Sequence, residues 1–275
     1  MIDCHAHVFP PKVGAKLMAS IGREFGRTPA GDGSVGDLLT RLDRAGLARA
    51  ICHTAALRPD QMIPANTWMI SLGRDHPQLV PFGTIHPGHP DWKGQLDRLE
   101  RHGILGIKLH PDLTGIPLDA DSWRPIWETI QGRFLVVLHM GGTGPGQPTL
   151  SRPRALARVM DEFPRLEYIA AHLGGLFWWE EALRELAGRP LYLDTAGCPE
   201  AIPPEIFNAI LKRHDPGRIL FGSDYPLFSP EQELAALGRL LADGPVALDT
   251  ILGNGERLVR SLDDQHKHAG APRQH

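Results

Sequence analysis

Near its start the chain reads Ile2-Asp3-Cys4-His5-Ala6-His7, two histidines separated by a single residue. Side chains alternate between the faces of an extended strand, so His5 and His7 share a face and their imidazoles form a chelating pair. Three later apolar runs also close on a donor: Val137-Leu138-His139, Ala170-Ala171-His172 and Gly222-Ser223-Asp224. His5, His7, His139 and Asp224 make a nitrogen and oxygen set suited to a divalent metal, Zn2+ first and Mn2+ second. Such an ion, with one coordination position open, lowers the pKa of its water from 15.7 to roughly 7. Asp224 can then accept the water's proton and return it to a leaving group. His172 can orient that water or donate to a developing oxyanion, its alternative being a fourth nitrogen ligand.

These donors need a frame that gathers distant segments. Eight apolar runs, residues 1–7, 48–54, 79–87, 104–111, 134–142, 166–175, 191–197 and 218–226, alternate with segments of helical spacing such as Leu156, Val159 and Met160. Near-continuous apolar strands between amphipathic helices fit a parallel sheet buried on both faces. No Gly-rich phosphate turn follows the first run, which disfavours an open dinucleotide-binding sheet. The expected fold is therefore α/β, a single-domain (β/α)8 TIM barrel over residues 1–262. Its candidate ligands sit at the carboxyl ends of strands, where such barrels build their sites. Residues 263–275 are polar and lack an apolar period, and are expected to form a mobile tail.

The chain resembles the amidohydrolase superfamily, and within it the amidohydrolase 2 branch that includes aminocarboxymuconate semialdehyde decarboxylase and several lactone hydrolases. The resemblance rests on Asp3-Cys4-His5-Ala6-His7, Gly106-Ile107-Lys108-Leu109-His110-Pro111, His139, Ala171-His172-Leu173-Gly174-Gly175, Phe221-Gly222-Ser223-Asp224-Tyr225-Pro226 and residues 251–258. It implies metal binding by His5, His7, His139 and Asp224, and an active-site role for His172. It also implies that a strand-four lysine, here Lys108, can be carboxylated to bridge two metals, with His172 then a ligand of the second. Lys108 alternatively meets a substrate carboxylate, and His110 is a candidate substrate contact or, less favoured, a ligand of the second metal.

The remaining features bound the function. Lys and Arg number 29 against 32 Asp and Glu, a net charge of -3 without basic runs, which argues against a nucleic-acid partner. No apolar run approaches the roughly 20 residues of a membrane helix. Cys4, Cys52 and Cys198 are too few and too scattered for a disulfide framework, and the histidine pair lies too close to Met1 for a cleaved leader, so the cytoplasm is expected. The Gly- and Pro-rich connection 8–35, with a short helix expected at 15–21, could fold over the metal as a lid. Trp178, Trp179 and Phe228 are candidate mouth aromatics, Arg58 and Arg152 candidate anion clamps, and a homodimer is compatible with exposed aromatics. The leading function is hydrolysis of a small lactone, ester or amide. The alternatives are nonoxidative decarboxylation of an aromatic or muconate-like acid and, less favoured, a noncatalytic metal-binding protein.

Overall fold

A computed structural model describes residues 1–269 apart from Asp243. Eight strands follow the eight apolar runs: β1 (Ile2–His7), β2 (Arg49–His53), β3 (Leu79–Phe82), β4 (Gly106–Leu109), β5 (Leu135–Leu138), β6 (Glu167–Ala170), β7 (Tyr192–Asp194) and β8 (Ile219–Leu220). All pair in parallel with their sequence neighbours, as β1-β2-β3 and β4 through β8. Two seams join these sheets. Gly83 bridges Ile107 between β3 and β4, and Ala6 bridges Tyr225 beyond β8. Main-chain hydrogen bonds from Cys4 to Phe221 (2.8 Å) and from His7 to Tyr225 (2.7 Å) seal the second. With both edges closed the sheet is a (β/α)8 barrel, as expected.

Alternation along the strands divides the apolar residues into two cores. Ala50, Cys52, Ile107, Leu109, Val136 and Leu138 pack outward in a cluster shared with helix residues such as Leu38, Leu96 and Leu156. Ile51, Phe82, Leu135, Val137, Ile169 and Leu220 fill the interior, where Leu258, Val259 and Leu262 of the last helix join them. In β1 one extra residue between Asp3 and Ala6, relative to β2, shifts the register. That bulge returns to Ala6↔Cys52 and His7↔His53 pairing, which puts His7 on the inward face that Ile51 and His53 share.

Two elements differ from expectation. The helix in the first long connection, α1 (Pro11–Glu24), is longer than 15–21 and starts with proline at its first position, where the missing N–H costs nothing. The last helix, Leu248–Ala269, runs into the stretch read as a mobile tail. Its packed first turns supply the costly nucleus, and extension into Asp263, Asp264 and Gln265 then adds one hydrogen bond per residue. Residues 270–275, the remainder of that stretch, lie outside the described residues. Among the described residues no helix is long and apolar enough to cross a membrane.

Candidate metal centre and active-site cavity

The seam between β1 and β8 is fixed by a buried carboxylate. Asp3 accepts hydrogen bonds from the amides of His5 and Ser223, both at 3.0 Å, and from the Ser223 hydroxyl at 2.5 Å. Burial pushes its pKa up to about 7 despite these donors. Gly222 leaves room for His5 beside it, since a Cβ there would lie 2.7 Å from that of His5. Asp224 follows in the left-handed region, φ 60°, a conformation Asp tolerates better than most residues, and its amide donates to the His5 carbonyl at 2.8 Å.

The ring hydrogen bonds decide which nitrogens face inward. Nδ1 of His5 lies 2.8 Å from Oδ2 of Asp194, and Nδ1 of His7 lies 3.3 Å from the His53 carbonyl. Carbonyl and carboxylate oxygens accept, so both Nδ1 atoms carry hydrogen, and in the neutral form of either ring the lone pair is at Nε2. Those two Nε2 atoms each lie 3.5 Å from Oδ1 of Asp224. Burial opposes ionisation of Asp224, yet its histidine neighbours in their protonated forms, a hydrogen bond from His7 first and then the charge of His5 and His172, bring its pKa down to about 2. His5 is held well below its ordinary value by burial and by Lys108.

A second group adjoins this one. Nδ1 of His172 meets the Ala196 carbonyl at 2.8 Å, and its Nε2 meets Nδ1 of His139 at 3.0 Å. The carbonyl requires hydrogen on Nδ1 of His172; in the neutral ring Nε2 then accepts from His139, whose own Nε2 is left with a lone pair. Both ring nitrogens of His172 are engaged in this arrangement, and the ring holds His139 in place. His110 stacks on His139 with ring centroids 3.8 Å apart. Its Nδ1 accepts from the Leu113 amide at 3.4 Å, so Nε2 is its donor. Lys108 is buried with Nζ 3.2 Å from Nε2 of His5, and burial lowers its pKa to about 8.

His5, His7, Lys108, His110, His139 and Asp224 together line one cavity of about 620 Å³, and Phe9, Val13, Leu17, Ile21, Phe25 and Trp68 supply its apolar wall. Val13, Leu17, Ile21 and Phe25 recur every fourth residue along and just after α1, so one face of that helix covers the donors. The other expected mouth residues lie elsewhere. Trp178 and Trp179 line a separate cavity with Arg152, whose guanidinium stacks on Trp178 at 3.6 Å and pairs with Glu181. Phe228 lies under Arg27. Arg58 is exposed and forks onto Asp60.

Two residues here escape the sequence reading, Asp194 and His53. Asp194 closes β7 and touches both groups, accepting from His5 at Nδ1 and, through Oδ1, from the His172 amide at 2.9 Å. Each ends an apolar run in a polar residue, the signal that marks His139 and Asp224. Asp194→Ala should weaken divalent-metal affinity about 10–100-fold by freeing the His5 ring, measured by competition against a chromophoric chelator. An unchanged affinity would show that His5 needs no such tether.

A family model described as amidohydrolase matches residues 2–254. No curated protein is significantly similar in sequence. Among solved structures, an uncharacterized TIM-barrel protein of Bordetella bronchiseptica superposes with a TM-score of 0.74 at 21% identity, covering 96% of this chain and 100% of that one. A probable 2-pyrone-4,6-dicarboxylic acid hydrolase of Acinetobacter baumannii gives 0.64 at 17%, covering 94% and 98%. A 5-carboxyvanillate decarboxylase of Novosphingobium aromaticivorans with bound manganese gives 0.64 at 14%, covering 93% and 95%. Likenesses at these identities establish the barrel and leave the reaction to the site. With the family model matched from β1 through the start of the last helix, the chain belongs to the amidohydrolase family.

Proposed function

We propose that this protein is a metal-dependent hydrolase of small carbonyl compounds, lactones, esters or amides, with the ion held by His5, His7, His139 and Asp224. The observation that carries the reading is the approach of two lone-pair nitrogens to one ionised carboxylate, 3.5 Å each, on the floor of an apolar cavity. The donors are in the protonation states a cation requires: burial keeps His5 and His139 neutral, and Asp224 stays ionised. Nitrogen and oxygen donors favour Zn2+, and the manganese of the decarboxylase relative supports Mn2+ as second choice. When bound, the ion supplies Lewis acidity to the carbonyl and acidifies water.

The chain's own groups do the rest. A carboxylate oxygen of Asp224 takes the proton of the attacking water and returns it to the leaving group. Nε2–H of His110 and the ammonium of Lys108 point the substrate oxygen by hydrogen bonding as negative charge develops there. His172 keeps Nε2 of His139 unprotonated. The stripe on α1 excludes water and selects planar or apolar substrates. Leu17→Glu should therefore raise KM by tenfold or more while kcat changes less, in steady-state assays on the best substrate; an unchanged KM would remove α1 from the binding surface. Cys4, Cys52 and Cys198 are buried free thiols, which supports a reducing compartment such as the cytoplasm.

Chelator-stripped protein, reloaded with Zn2+ or Mn2+ and screened on lactones, esters, amides and aromatic acids, tests the proposal. Hydrolysis that vanishes on stripping and returns on reloading is the expected result. Full activity after exhaustive chelation would refute the metal, and carbon dioxide release from an aromatic acid would replace hydrolysis by decarboxylation.

A further inference from the structure

His53 ends β2 with no exposed surface, and neither of its ring nitrogens has a hydrogen-bond partner. A neutral imidazole carries one donor and one lone pair, and native interiors rarely leave both unmet. Its surroundings explain why the pair is left open. The ring lies 4.7 Å from that of His5 and 5.7 Å from that of His7, edge to face in both cases. One nitrogen from each of the three residues lies within 4.8 Å of the other two. A divalent ion at about 2.0–2.1 Å from imidazole nitrogens holds its donors roughly 3–4 Å apart, so a small side-chain adjustment brings these three into range. The backbone is already committed to that placement, because the His53 carbonyl is the acceptor for Nδ1 of His7. The residue that aims His7 thus presents its own ring to the same space.

We infer that His53 is a further nitrogen ligand of the divalent cation, shared with His5 and His7, resting on the reading that this centre holds such an ion. A histidine that merely fills space would sit among apolar groups with its nitrogens toward main-chain or solvent partners; His53 faces two other donors.

The test compares wild-type protein with His53→Leu, using Co2+ and Zn2+ as probes. Leucine should lower the affinity for both ions at least tenfold in chelator competition and should change the visible absorption of the Co2+ form. In the metal-free protein the unfolding temperature should hold or rise, because a buried imidazole without partners is gone, while the increase on adding Zn2+ should shrink. Equal affinities and identical Co2+ spectra would overturn the assignment and leave the proposed hydrolase intact. Failure of the wild-type protein to bind either ion would overturn both. X-ray absorption at the metal edge of the wild-type zinc form needs no variant: scattering from four imidazoles, His5, His7, His139 and His53, is expected, and three or fewer would refute the role of His53.

Discussion

Asp224→Asn, fully loaded with metal, is expected to lose turnover by about 10²–10⁴-fold, the usual contribution of a positioned acid–base group. The amide is nearly isosteric, and Asn tolerates the left-handed backbone that Asp224 adopts at φ 60°. The main-chain bond to His5 and the β1–β8 seam should therefore survive. What disappears is the anionic oxygen, which stays ionised far below neutral pH because Asp224 titrates at about 2. Metal affinity should fall as well, so the assay must be run at saturating Zn2+, with occupancy confirmed by elemental analysis. Under those conditions KM should change much less than kcat, since the apolar wall is untouched. A loaded variant turning over within tenfold of wild type would remove Asp224 as the proton acceptor.

Acidification should destabilise the metal-free protein steeply between about pH 6.5 and 5. Burial holds His5, His53, His86, His110, His139 and His214 below the ordinary histidine value. In the unfolded chain these rings take up protons near pH 6.5, whereas in the folded state they do not. Their contribution is thus present above that pH and lost as it falls, each fully buried ring adding up to about 1.4 kcal/mol per pH unit. Three carboxyls act in the opposite sense. Burial raises Asp3 to about 7, Glu233 to about 8, and Asp194 above its ordinary value, so the folded state binds protons there that the unfolded chain has released. Six imidazoles outweigh three carboxyls on the acid side. Between about pH 7 and 8 the carboxyl effect prevails, and stability should decline gently as Asp3 and Glu233 ionise, until the lowered pKa of Lys108, about 8, acts in the opposite sense at higher pH. Urea unfolding midpoints without metal should peak near pH 7 and drop sharply by pH 5; a flat profile would show that the buried rings find protons' worth of compensation elsewhere.

The barrel is legible because burial on both faces leaves continuous apolar runs, and each of the eight strands lies in one of them. The candidate ligands are legible for the same reason, a polar residue closing an apolar run, which identifies His5, His7, His139 and Asp224. His53 and Asp194 carry that signal too. Which run-ending side chain turns inward, however, depends on register, and in β1 a bulge resets it. The contacts of His172 are not readable, because its partners, Ala196 and His139, are distant in sequence and only folding brings them to its two ring nitrogens. Trp178 and Arg152 follow the right strands but stack on each other in another cavity. Leu17 and Ile21 look like ordinary amphipathic packing until α1 is seen lying over the donors.

The seam sealed by Asp3 joins the first strand of the barrel to the last. A chain emerging vectorially from the ribosome carries His5 and His7 out early, but their carboxylate counterpart arrives only with β8. On the proposed ligand set, capture of an ion would be a terminal event of biogenesis, and a nascent chain stalled before β8 would present an imidazole pair unable to close a coordination sphere.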